Sequence, residues 1–297
     1  MGVLGKYVNN NYTVVIMEDG TKIRYNDLDS FNPEKPESMD LKITNQCDMG
    51  CPMCHENSTP DGKHGSILNI PFFDTLLPYT EIAIGGGNPL SHPDFIAFLE
   101  QLKKRKLIAN VTVNQVHFMK DIDLIQELVD KKLIYGLGVS VVNANDEFID
   151  AVSKFPNAVI HVINGIITTD ELRYMAHKNL KILVLGYKEF RRGKSLFERQ
   201  NVEINHLKSA FYEVLPKVID EEWFDVISFD NLAIKQLDPK RLMSDKEYGQ
   251  FFMGEDGKYT MYCDLVEGKF AKSSTSTNRY NLMNDIKDMF DIVRNGD

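Results

Sequence analysis

The stretch CDMGCPMCHENSTPDGKHG, residues 47–65, opens with Cys47, Cys51 and Cys54 at the spacing C-x3-C-x2-C, three of the chain's four cysteines. A structural zinc site takes four ligands, and a two-bridge disulfide scaffold takes four cysteines. Three thiols on one tight loop fit neither. The residues just before them, MDLKIT at 39–44, alternate apolar and polar side chains as a half-buried β-strand does. The cysteines therefore occupy the loop at the C-terminal end of a strand. In parallel α/β folds that is where sites are built. Gly50 and Pro52 bend the backbone so that the three sulfurs can converge.

Outward from this loop the pattern repeats. EIAIGG, NVTVNQ, LGVSVV, AVIHVI and KILVLG read as further strands. Between them HPDFIAFLEQLKKRK, KDIDLIQELVDKKL, NDEFIDAVSKF and TTDELRYMAHKN read as amphipathic helices. ILNIPFFDTLLPY, after the first strand, is a weak helix because of its prolines. Six alternating β and α units predict a parallel sheet with right-handed crossovers. The pattern alone does not choose between a barrel and an open doubly wound sheet. Ahead of this core, YTVVIMEDGTKIRYND alternates about Asp19-Gly20 and predicts a hairpin, followed by the proline-bearing linker SFNPEKPESM. Beyond it, NHLKSAFYEVLPKVI predicts a long helix and FDVISFDNLAI another strand. A hairpin around Gly254–Gly257, the strand-like KYTMYCDLV and a terminal helix YNLMNDIKDMFDIVR complete the chain. The division is residues 1–35 for the hairpin and linker, 36–195 for the core, and 196–297 for an α/β extension packed on the same domain.

Composition narrows the function. A chain of 297 residues, 43% hydrophobic and 26% charged, has ample material for one globular core. No apolar run reaches the roughly 18–20 residues of a membrane span. The opening MGVLGKYVNNNY lacks the apolar core and cleavage site of a secretory signal. The expectation is a cytoplasmic protein with reduced thiols, so metal or redox chemistry is the better reading of the cysteines. A net charge of −9 argues against a broad nucleic-acid-binding face.

Three cysteines can hold three irons of a 4Fe–4S cluster and leave the fourth open to a ligand. C-x3-C-x2-C after the first strand of a β/α repeat resembles the radical S-adenosylmethionine (radical SAM) superfamily. A second motif extends the likeness. EIAIGGGNPLSHPDF ends the second strand, where that family carries a Gly-Gly-Glu-type turn for the amino end of SAM. Here Gly86, Gly87 and Asn88 stand there, with an amide replacing the acid. The resemblance covers roughly residues 40–193. It implies a partial (β/α)6 TIM-like barrel flanked by the N-terminal hairpin and the C-terminal extension. It further implies a 4Fe–4S cluster on Cys47, Cys51 and Cys54, bound SAM, and reduced flavodoxin or ferredoxin as electron donor. Reductive cleavage of SAM and hydrogen-atom abstraction from a substrate follow. Met53 replaces the aromatic residue common before the third cysteine. Asn114 and Ser140 lie where the family places polar residues near SAM, and Val162, Ile163 and Leu185 are candidates for the adenine pocket.

Other readings stand beside this one. The cysteines suit a zinc-stabilised interaction module completed by His55 or His64, or an electron-transfer or redox-sensing iron–sulfur protein. Neither explains the GGGNP turn. His92 reads as part of a helix entry, and the basic run at 103–106 as a helix C-terminus. Cys263 is either a buried structural thiol or a hydrogen-atom donor to a substrate radical. In GYKEFRRG, Tyr187, Lys188, Arg191 and Arg192 form either a carboxylate or phosphate pocket or a basic surface loop.

Overall fold

The structure of the chain, a computed structural model, describes residues 2–28 and 30–296. Strand β4 (Ser38–Thr44) turns Met39, Leu41 and Ile43 into the main core and Asp40, Lys42 and Thr44 to the opposite face. The same alternation runs through β5 (Glu81–Gly86), β6 (Ile108–Asn114), β7 (Gly136–Ser140), β8 (Ala158–Ile163) and β9 (Lys181–Leu185). These are the six strands expected from the sequence. They pair in parallel in chain order.

Helices α1 (Phe95–Lys104), α2 (Gln115–Lys120), α3 (Ile122–Asp130), α4 (Asp146–Val152) and α5 (Thr169–Met175) bring apolar side chains to one face of the sheet. Phe95, Phe98, Leu99 and Leu102 of α1 join Ile82, Ile84, Val111 and Val113 in the core. Each such fully buried side chain contributes about 1.5–3 kcal/mol of transfer free energy. α2 departs from expectation. The sequence reads Asn114-Gln115 as a strand end, but the Asn114 Oδ1 accepts from the Val116 N–H and starts a helix there. The proline-containing stretch after β4 supplies only a 3-10 turn, Pro71–Thr75.

The C-terminal extension builds into the same sheet. Helix α6 (Arg192–Asp220) is longer than NHLKSAFYEVLPKVI suggests, and Gln200 marks the joint between its two halves. Strand β10 (Val226–Phe229) adds in parallel to β9, ahead of α7 (Asn231–Leu237) and α8 (Asp245–Phe251). β11 (Thr260–Asp264) adds in parallel to the far side of β4, and β12 (Lys269–Ala271) and β13 (Tyr280–Asn281) continue antiparallel before α9 (Ile286–Asn295). The order is β10-β9-β8-β7-β6-β5-β4-β11-β12-β13. Its ends do not pair among the described residues, so the barrel is partial. The hairpin expected at Gly254–Gly257 is a turn; the hairpin lies instead between β11 and β12, with Gly268 at a φ of 65°.

The N-terminal unit has three strands, not two: β1 (Val3–Asn9), β2 (Tyr12–Met17) and β3 (Lys22–Tyr25). β1 is hard to read because its buried face carries Gly5 and Asn9 beside Tyr7. Gly5 lies against the Tyr79 ring, and the Asn9 amide bonds the Tyr12 hydroxyl and the Lys35 carbonyl. This small sheet packs on Ile108, Tyr135 and Tyr259, which lie at or just before strand starts. It covers the N-terminal end of the barrel and leaves the cysteine loop at the other end.

Candidate functional site

The cysteine loop leaves β4 and returns on itself. Asn45 N–H donates to the Lys63 carbonyl, Thr59 N–H to Asn45, and Cys47 N–H to Thr59, at 2.8–3.0 Å. Short bridges at Thr44–His64 and Gln46–Thr59 close the stem. Inside it Cys54 N–H donates to the Cys51 carbonyl at 3.2 Å, and Gly50 takes a φ of 62°. All three thiols are half-buried. Burial raises the Cys47 and Cys51 thiols, and the negative charge of their sister thiolates raises them further. Such a set gains from a cation or a positively charged cluster that relieves the repulsion.

The GGGNP turn is hydrogen-bonded to that stem. Gly87 N–H donates to the Thr44 carbonyl and Asn88 N–H to the Gln46 carbonyl, each at 2.7 Å. Gly86 has a φ of 109°, and a Cβ there would lie 2.5 Å from the Thr44 oxygen; one on Gly87 would lie 2.2 Å from that of Gln46. Only glycine permits this approach. With those two N–H donors used, the turn has carbonyl oxygens to offer an ammonium. The Asn88 Oδ1 accepts from the Leu90 N–H at 3.2 Å and caps the turn Pro89–Ser91.

The remaining sequence candidates sort by strand face. Asn114 and Ser140 are register partners at the ends of β6 and β7. Ile163 and Leu185 are partners on β8 and β9, and Ile163 packs with Met53 against Tyr187, Leu196 and Ile204. Val162 faces the other way, buried in the main core. Cys263 is likewise fully buried in the main core beside Met261, and burial pushes its thiol far up. The structure does not bring it to the other three cysteines. His55 and His64 are engaged elsewhere, His64 Nδ1 with the Thr44 hydroxyl at 2.9 Å. His92 contacts the Gly65 carbonyl at 2.9 Å through Nε2 and takes the Asp94 N–H at Nδ1, fixing the end of the loop.

Two features escaped the sequence reading. Glu56, two residues past Cys54, sits in a buried ionic network. Lys42 Nζ lies 2.9 Å from the Glu56 carboxylate and 3.1 Å from that of Asp264, with all three side chains at most 9% exposed. Arg191 donates to the Glu56 carbonyl and Arg192 to that of Ser58. Lys188 reaches His55 and Ser274, and the Tyr187 hydroxyl donates to Gly193. The two arginines of GYKEFRRG thus clamp the cysteine loop and do not form an open anion pocket. On the loop's other side His117 of α2 meets the Asp48 carboxylate at 2.6 Å. No spacing rule links these residues, so no sequence signal marks them.

Cys47, Asp48 and His117 are the one set of potential metal-binding atoms among the described residues that lie within 4.8 Å of one another. The three cysteine sulfurs are therefore spread wider than the about 3.8 Å that a tetrahedral zinc with sulfur ligands imposes. The donor set, three half-buried thiols without a fourth, fits a larger cluster with one open position.

No protein-family model and no curated protein matches the chain. Solved structures do. SuiB of Streptococcus suis bound to S-adenosylmethionine aligns at a TM-score of 0.60 and 11% identity, over 99% of this chain and 87% of that one. A further SuiB structure aligns at 0.60 and 12%, over the same shares. The chain shares the fold of SuiB. SuiB bound to the precursor peptide SuiA aligns at 0.55 and 12%, covering 89% of this chain. There the match spans 66% of the SuiB chain, just under two thirds. The partial barrel is thus the fold that the radical SAM resemblance implied.

Proposed function

We propose that this chain is a radical SAM enzyme, with Cys47, Cys51 and Cys54 as ligands of a 4Fe–4S cluster whose open iron takes SAM. One observation carries the reading. The three thiols and the Gly86–Asn88 turn are tied together by backbone hydrogen bonds at the C-terminal mouth of a half-barrel. In this reading residues 36–195 are the core, with 1–35 and 196–297 as flanking units of the same domain. When bound, the cluster and SAM supply reductive cleavage of the sulfonium and hydrogen-atom abstraction. Carbonyls of Gly86 and Gly87 accept from the SAM ammonium, and Asn88 holds their turn. Met53, Ile163 and Leu185 give an apolar wall for adenine, while Asn114 and Ser140 supply polar groups. Val162 contributes backbone only. Arg191, Arg192 and His117 fix the loop. Flavodoxin or ferredoxin is the proposed electron donor, and the SuiB complex with SuiA makes a peptide one substrate to test.

Anaerobic reconstitution with iron and sulfide, followed by spectra with and without SAM, tests the proposal. A four-iron cluster perturbed by SAM, with SAM cleaved under dithionite, is the expected result. Stoichiometric zinc after aerobic purification, or a cluster blind to SAM, would overturn it in favour of an interaction module or an electron-transfer protein.

A further inference from the structure

The inner face of the half-barrel carries charge that the proposed cofactor does not use. Asp40 stands in the middle of β4, hydrogen-bonded between β5 and β11, yet its side chain is exposed. Exposure at the centre of a ten-stranded sheet means that the lumen is open beside it. Small residues make the room. Ala83 and Gly85 face it from β5, and a Cβ on Gly85 would meet nothing within 4 Å. On β7 the space is taken: a Cβ on Gly136 would fall 2.7 Å from the Asn110 Oδ1, and one on Gly138 would fall 2.4 Å from the Cε1 of the His161 ring that lies over it.

The balance of charge there is negative. Asp40, Asp230 and Asp256 lie within electrostatic range of one another, and no cation among the described residues lies within ion-pair distance of any of them. Among the described residues the Asp230 carboxylate accepts only N–H groups of Gly186 and Ala233, and that of Asp256 the amide of Asn231. Lys188 is the nearby cation and its charge favours the ionised Asp40, but its ammonium, held by His55 and Ser274, is not within ion-pair distance of any of the three. Lys42 shares the Asp40 face but is paired to Glu56 and Asp264. The His161 ring, enclosed and with no hydrogen-bond partner among the described residues, is pushed down to about 4 by burial and so adds no charge at neutral pH. An unpaired carboxylate and a neutral, unpartnered imidazole thus face one open space.

We infer that the lumen is a subsite for a substrate carrying a primary ammonium or guanidinium group, with Asp40 as its counter-charge. The inference rests on the radical SAM reading, which supplies the reaction; the subsite itself is read from residues outside the cysteine loop. A buried hydrogen bond between unlike charges is the strong kind, and Asp40 offers both oxygens to it. A neutral isostere would leave the carboxylate unpaired, so discrimination should be large.

The test uses the full chain and small probes: 1,5-diaminopentane and agmatine against 1,5-pentanediol, with binding followed by ligand-observed NMR. The amines should bind and the diol should not. Asp40→Asn should weaken amine binding about 10-fold or more, Asp40→Glu should restore part of it, and Gly85→Val should block it by filling the space. Asp170→Asn, at an exposed site paired with Arg173, should leave it unchanged. Equal binding of amine and diol, or full amine affinity in Asp40→Asn, would overturn the subsite. SAM cleavage by reconstituted wild-type protein is measured separately, so failure of the subsite and failure of the enzymatic reading give different results.

Discussion

Replacing Lys42 by Met removes the ammonium while keeping most of the stem that lies against Gly86. It leaves Glu56 and Asp264 facing each other without the cation 2.9 and 3.1 Å away. Breaking a buried ion pair by removing one partner costs about 3–5 kcal/mol. Here the lower end applies, because both carboxylates keep other partners. Glu56 retains Arg191 at 3.6 Å, and Asp264 retains Arg279 at 3.9 Å and the N–H groups of Val266 and Glu267. For 297 residues the unfolding entropy is about 0.6 kcal/mol/K, so a loss of about 3 kcal/mol lowers Tm by about 5 °C. Thermal unfolding of the apo protein, followed by circular dichroism at pH 7, measures it. Adding Glu56→Gln to Lys42→Met should recover part of the loss, since it removes one uncompensated charge. A Tm for Lys42→Met within about 1 °C of wild type would refute the network's role in holding the loop. The pH dependence supplies a second check. Burial alone would raise the Glu56 carboxyl, but its hydrogen bond to His55 and the Lys42 ammonium hold it well below the usual range. Its contribution is therefore present above the unfolded value of about 4.3 and lost as pH falls toward the folded one. The stability gap between wild type and Glu56→Gln should stay constant from pH 7 to about 5 and close below that.

Single Ala substitutions of Cys47, Cys51 and Cys54 should each abolish SAM cleavage and most bound iron, whereas Cys263→Ala should keep a SAM-responsive cluster; iron analysis and SAM cleavage assays distinguish the two. Gly87→Ala should push the turn off the Gln46 carbonyl and lower SAM affinity and iron content together; unchanged values would mean that the turn does not brace the loop. Asn88→Ala should weaken SAM binding through loss of the cap at Leu90, and Asn88→Asp, which can cap equally well, should largely preserve it; equal affinity in all three proteins would leave the turn without a role in SAM binding. Asp40 is raised to about 6, first because the enclosing barrel walls desolvate its carboxylate and then by Asp256, Asp230 and Glu56 against Lys188, so it is penalised when ionised in the fold. Asp40→Asn should therefore melt above wild type at pH 8, with the difference shrinking as pH falls from about 6 to 4; a pH-independent difference would place Asp40 outside the acidic lumen.

What could be read in advance was whatever is written in contiguous residues. The alternation Met39, Leu41, Ile43 gives a strand, and the same rule recovers β5 to β9, because each buries one face against helices. The cysteine spacing and the GGGNP turn are local motifs, so they announce themselves wherever the chain folds. β1 was illegible because its buried face holds Gly5 and Asn9, which satisfy space and hydrogen bonds instead of burying apolar surface. α2 was illegible because Asn114 serves as the last residue of β6 and the cap of the next helix at once.

The same distinction separates the parts of the site. The groups proposed to hold the cofactor are local, but those that hold the loop come from β4, α2, the segment after β9 and β11. Lys42 looks like a polar residue on a solvent face until β11 adds beside β4 and buries it. Arg191 and Arg192 look like a free basic patch until the fold sets them against the carbonyls of Glu56 and Ser58. In both cases a charge that sequence reasoning would give to solvent or ligand is spent on the frame. Asp40 is the converse. It is a polar position of an alternating strand, ordinary on paper, yet the partial barrel surrounds it and leaves it with no cation in ion-pair distance among the described residues. A charge that the frame does not use, facing space that Gly85 keeps open, is one left for a ligand.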